Sequence, residues 1–154
     1  MKKIAAVLCC TALLLLAAVS AWASDECYTL SGGDYFGGDM GLILIIQAPT
    51  DGGDIYTVFG LGNDSKGDTS ALLHGVTQTS GHVKEFSLRG SGPIASDKEG
   101  GVWAMYEYHL TLGPSDSGWT GTYAGEVHTT DGAEKNVSGS VTPTSCTQSQ
   151  DQSQ

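Results

Sequence analysis

Positive charge is what this 154-residue chain has least of: seven lysines and arginines stand against 17 aspartates and glutamates. The net charge of −10 argues against nucleic acid and anionic membrane surfaces as partners, since both would repel it. Cysteine is scarce too. There are four, and Cys9 and Cys10 fall in an N-terminal leader, which leaves Cys27 and Cys146 near the two ends of the rest. A single bridge accounts for that pair better than a nucleophile does. Past the leader, no run is long and apolar enough to span a bilayer, and no stretch reads as a helix. No Gly-x-Ser-x-Gly context surrounds a serine, and no glycine-rich stretch lies between a strand and a helix, which removes the nucleophile elbow and the phosphate loop. The four histidines lack tight metal-ligand spacing. The chain is therefore read as a non-enzyme, with no cofactor and no metal.

The first residues have the three zones of a secretory signal. Lys2 and Lys3 form the positive end, an apolar run extends from Ile4 to about Val19, and Ala21-Trp22-Ala23 has the small-x-small form of a cleavage site. A cut after Ala23 is expected, with export to the periplasm or beyond the cell. The run is short for a retained anchor, and Ser24 stands where a lipoprotein would need cysteine. The two lysines and the compact leader look bacterial. Residues 24–146 make one domain, and residues 147–154, all Thr, Gln, Ser or Asp, are expected to be a disordered tail.

All 22 glycines lie past the leader, beside Asp, Ser and Thr, which is the punctuation of many tight turns. Between these turns the alternation and short apolar runs predict eight strands. They are Cys27–Ser31, with Asp34–Phe36 as a possible continuation, then Gly41–Ala48, Ile55–Gly62, Ser70–Thr77, His82–Gly90, Val102–Leu112, Trp119–Thr129 and Glu134–Thr142. A Cys27–Cys146 bridge would make the first and last strands neighbours. The expected fold is all-β: one antiparallel eight-stranded up-and-down barrel closed by that disulfide, with a β-sandwich as the alternative.

Three registers follow. Opposing Leu112 and Trp119 puts large residues against small ones on an apolar face and leaves Glu107, His109, Thr111, Thr120, Thr122 and Glu126 for water. A one-residue bulge with Gly132 left-handed sets Thr129 against Ala133 and Val137 against Gly125, which keeps the last strand's apolar set inside. A turn at Thr79-Ser80-Gly81 pairs Gln78 with His82 and turns His74 inward, opposite Phe86. Its weak point is Val76, which then faces Lys84.

The aromatic set is the leading site candidate. Tyr106, Tyr108, Trp119 and Tyr123 would line one interior sector, with His74 and Phe86 beside them and inward glycines among them. That suits a small apolar or aromatic ligand. A barrel filled by its own side chains, with glycines at sharp bends, competes with it. A second candidate is the outside of the second and third strands, where Ile43, Ile45, Tyr56 and Val58 would form an interaction surface, homo-oligomeric among other possibilities. His109 and His128 with Glu107 and Glu126 are read as ordinary surface residues. Asp51–Asp54 and Asn63–Asp68 are read as turns rather than calcium loops.

Strand count, meander order and secreted setting over about Cys27–Cys146 resemble the lipocalin and avidin-like, calycin-type barrels. The Gly-x-Trp of lipocalins belongs on the first strand, where this chain has Gly33-Asp34-Tyr35, and Gly118-Trp119 comes six strands later. Thr120-Gly121-Thr122-Tyr123 resembles a short avidin stretch at another position. The resemblance implies the architecture and carries over no binding residue.

Overall fold

The computed structural model describes residues 23–32, 39–49, 51–64, 70–94 and 101–146. The leader up to Trp22, the continuation at Asp34–Phe36 and the tail lie outside the described residues. Eight strands follow in order: β1 Ala23–Ser31, β2 Met40–Gln47, β3 Ile55–Asp64, β4 Ser70–Ser80, β5 Val83–Ile94, β6 Val102–Ser115, β7 Gly118–Thr129 and β8 Glu134–Pro143. Each pairs antiparallel with the next, and β1 pairs with β8, so the meander closes into a barrel.

The closing seam is the shortest of the eight. Four residue pairs join β1 to β8, from Tyr28 opposite Pro143 to Ser31 opposite Ser140. The Cys27–Cys146 disulfide lies at the end of this seam, with Cα atoms 5.3 Å apart. Beside it the Thr144 N–H donates to the Cys27 carbonyl at 2.9 Å. A covalent link thus sits where the sheet has fewest hydrogen bonds.

Alternation along the strands sends one set of side chains inward. Tyr28, Leu30, Leu44, Val58, Leu88, Tyr108, Leu110 and Val127 are almost wholly buried. Eight strands enclose an interior about wide enough for side chains to fill. Bulky residues meet small ones there. Leu112 stands opposite Gly121 and Tyr108 opposite Gly125. A Cβ on Gly125 would lie 2.7 Å from Tyr108 Cδ1 and 2.2 Å from the Glu107 carbonyl oxygen. The room above this glycine is already taken, so it marks a close approach of strands.

Of the three expected registers, the β7–β8 hairpin has the bulged form: Gly125 pairs with Val137, Gly132 has φ 89°, and the Thr129 N–H donates to the Ala133 carbonyl at 2.9 Å. The β6–β7 hairpin differs. Pro114 and Ser115 stay in strand, the turn shrinks to Asp116-Ser117, and Leu112 pairs with Gly121 while Trp119 pairs with Pro114. Gly118, at φ 118°, and a Ser115 Oγ to Gly118 carbonyl bond of 2.7 Å support this tighter turn. The slip is two residues, so every side chain keeps its expected face.

The β4–β5 hairpin is corrected outright. Its turn is Gly81-His82, with Gly81 at φ 62°, and Ser80 pairs with Val83. Two-residue turns that begin with a left-handed glycine match the strand twist. The slip is odd, and the faces exchange. Ala71, Leu73 and Thr77 point inward, whereas Leu72, His74 and Val76 are exposed. His74 is not an interior residue.

Candidate functional site

β3 reverses the usual polarity of a barrel strand. Its inward positions beyond Val58 are Gly60 and Gly62, and its outward positions include Ile55, Phe59 and Leu61. The reason lies in its neighbours. A Cβ on Gly60 would meet Leu44 Cδ2 at 2.6 Å, and one on Gly62 would meet Met40 Sδ at 3.2 Å and Leu42 Cδ2 at 3.4 Å. The long side chains of β2 fill the interior beneath β3, and the bulk of β3 is displaced to the outside.

The flanking strands extend this outer face. Ile43 and Ile45 of β2 stand opposite Leu61 and Phe59. On the other side Leu72 stands opposite Leu61, and His74 opposite Phe59. Phe59 is 51% exposed and Leu72 70%. Besides Ile55 and Val76, the remaining outward positions of β2, β3 and β4 hold Gly, Thr, Asn, Ser or Gln, with no Asp, Glu, Lys or Arg. In so acidic a chain, three adjacent strands without an outward charge form a distinct surface. Over β5 a shallow groove borders it, with Leu72 and His74 on one wall and Met105 and His128 on the other, and there charge begins, because Arg89 and Glu107 also line it. Met105, on the far wall of this groove, and Trp103, beyond it on the same strand, are more than half exposed.

Of the expected exterior set, Ile43 and Ile45 are where the sequence puts them. Val58 is corrected: it is fully buried, on the inward side of β3. Tyr56 shares that side of the strand, at the barrel end, and is 38% exposed. Sequence reasoning missed Phe59, Leu61 and Leu72. The signal available was the Gly60-x-Gly62 pair, which leaves Phe59 and Leu61 on the face opposite the glycines.

The exterior from β5 onward is charged, beginning with Arg89, which stands opposite His74. The Arg89 guanidinium donates to Glu107 at 3.1 Å, and this hydrogen bond holds the Glu107 carboxyl below its ordinary range. His109 lies 3.5 Å from Glu107. His128 lies between Glu126 and Glu134, at 3.4 and 3.3 Å. Among the described residues, no group of three or more His, Cys, Asp or Glu is arranged to hold a metal ion.

Inside, the expected aromatic sector is assembled. The Tyr106 and Tyr108 rings stack at 5.9 Å, and Tyr108 meets Tyr123 edge-on at 6.1 Å. All three are buried, and the rings fill this sector against one another. Phe86 belongs to the same core, and partly buried Trp119 packs against it, toward the end of the barrel that carries the β4–β5 and β6–β7 turns. There the buried Lys84 ammonium pairs with Glu26. It lies 5.5 Å from the centroid of the Phe86 ring and 5.6 Å from that of Trp119. The Tyr28 hydroxyl donates to the other oxygen of Glu26 at 2.5 Å. Burial first, and then Glu26, push the Tyr28 hydroxyl well above the ordinary tyrosine range. The cation is framed by aromatic faces and neutralised by a carboxylate.

No protein-family model, curated protein or solved structure matches the chain.

Proposed function

We propose that the chain is an exported, non-catalytic β-barrel module that works by docking an apolar protein surface on the outside of β2, β3 and β4. The observation that carries this reading is the run of outward Ile45, Phe59, Leu61 and Leu72 on adjacent strands with no charged residue among them. A soluble domain leaves so broad an apolar surface open at a cost in solubility, and such surfaces mark interaction sites. The interior supports the same choice, because the tyrosine rings occupy the sector in which a guest would lie. Footprinting by a carbene label tests it. Phe59, Leu61 and Leu72 should be labelled less in fresh extract of the native host than in dilute purified protein. Equal labelling in the two samples would overturn the reading.

A second reading keeps a small apolar or aromatic ligand and moves it to the Lys84 end. It is favoured by one observation, a buried ammonium near two aromatic rings, one of them partly exposed. Titration with aromatic carboxylates should then change Trp119 emission in wild type and leave Lys84→Met unmoved. An unchanged spectrum in wild type would remove it.

A further inference from the structure

We propose that the occupant of the β2–β4 face is a second copy of this chain, packed about a two-fold axis that passes close to Phe59. This rests on the reading of that face as a docking surface and names its partner.

Three observations carry it. The first is charge. Two copies of a chain with net charge −10 repel wherever their carboxylates meet. A two-fold contact apposes a patch to itself, so a charge near the axis meets its own copy, and a patch without charge avoids that repulsion. The outward positions of β2, β3 and β4 satisfy this condition, because none of them is Asp, Glu, Lys or Arg. A partner selected by charge would instead be met by the acidic residues found elsewhere on the surface.

The second is size. Three strands, β2 to β4, at about 4.8 Å spacing and about nine residues of length present a face on the order of 430 Å². A stable pairwise contact buries about 800 Å² on each side. The three strands are roughly half of that, and the Met105 and Trp103 margin and the relief of the side chains bring the face into the range of the smaller specific contacts.

The third is internal balance. β3 lies in the middle of the face. Ile45 flanks Phe59 on one side and His74 on the other, while Ile43 and Leu72 flank Leu61. Residues at the centre of a self-complementary patch meet their own copies. On this geometry Phe59 packs against the partner's Phe59. The two sheets stack face to face about 10 Å apart, as in a β-sandwich.

Sedimentation of the purified full domain over a range of concentrations tests this with three samples beside wild type: Phe59→Asp, Phe59→Lys and their equimolar mixture. Wild type is expected to be dimeric at micromolar concentration. Each single variant should dissociate about thirtyfold more readily or worse. The mixture should re-form dimers, because Asp and Lys then meet across the axis. Circular dichroism and the melting temperature check that the variants fold. Leu72→Glu, at a more exposed position, gives an independent measurement if they do not. A wild type that stays monomeric overturns the proposal, as does a Phe59→Asp dimer as tight as wild type. A mixture that stays monomeric removes the axis at Phe59. A monomeric wild type whose face is nonetheless protected in host extract would overturn the second copy and leave the docking surface standing.

Discussion

Leu61 and Leu72 stand directly opposite each other on the outside of β3 and β4, 40% and 70% exposed, while the adjacent Leu73 is buried at 3%. One residue of register separates a surface leucine from a core leucine. The same step separates Val58, inside, from Phe59, outside.

Leu72→Ala and Leu73→Ala should therefore behave as opposites. Leu73→Ala is expected to cost about 2–5 kcal/mol through lost burial and a residual cavity. Leu72→Ala should stay within about 0.5 kcal/mol for the isolated domain, as surface changes do. Urea unfolding of both, at a concentration too low for self-association, makes the comparison. Equal losses would contradict the β4 register.

Reducing the seam tests its covalent clamp. The bridge joins residues 119 apart in sequence, next to a pairing of four residues. Cys27→Ser with Cys146→Ser should lower stability by about 2–5 kcal/mol. Amide exchange should accelerate first at Thr29 and Ser31, before the β5–β6 pair is affected. Uniform acceleration across all strands would show that the seam is not the weak point.

At Gly125 an added methyl has no room, since it would meet the backbone of β6 and the Tyr108 ring. Gly125→Ala is expected to destabilise by about 1–3 kcal/mol, as overpacking does. Stability equal to wild type would mean that the interior has slack beside Tyr108, and would favour an internal guest.

Lys84 and Glu26 form a cross-barrel ion pair, with Glu26 keeping part of its contact with water. Removing the cation alone, in Lys84→Met, should cost on the order of 1–3 kcal/mol, less than the roughly 3–5 kcal/mol of a fully enclosed pair. Replacing both, with Lys84→Met and Glu26→Leu, should recover most of that loss. A double variant as unstable as the single one would show that packing, not charge, dominates this corner.

Tyr28 supplies a pH dependence. Its hydroxyl is held above the ordinary tyrosine range, so the folded chain keeps a proton that the unfolded chain releases near pH 10. The resulting stability is complete below about pH 10 and falls as the pH rises beyond it. Alkaline unfolding of wild type should steepen above that point, and Tyr28→Phe should flatten the curve. Identical curves would exclude Tyr28 as the source.

Several features were legible in the residues alone because each has a local cause. Gly, Asp and Ser clusters mark where strands end, and all eight strands lie where these clusters leave room. From Tyr106 to Leu112 in β6 polar and apolar residues alternate, and a slip of two residues keeps every face, so Glu107, His109 and Thr122 stay outside. In β8 the position of Val137 required a bulge at Gly132, since any other register would bury polar residues. Cys27 and Cys146 required the ends of the chain to meet.

The faces of β3 and β4 were decided by tertiary structure. Both strands carry apolar residues on each side, as in Val58-Phe59 and Leu72-Leu73, so alternation does not choose between them. One residue of turn length at Gly81-His82 turned all of β4 over. In β3 the choice came from the adjacent strand, where Met40, Leu42 and Leu44 of β2 occupy the interior beside Gly60 and Gly62 and leave no room inside for Phe59 or Leu61. Sequence by itself determined the strands and the closure of this protein. Packing within a limited interior decided which apolar residues had to remain outside.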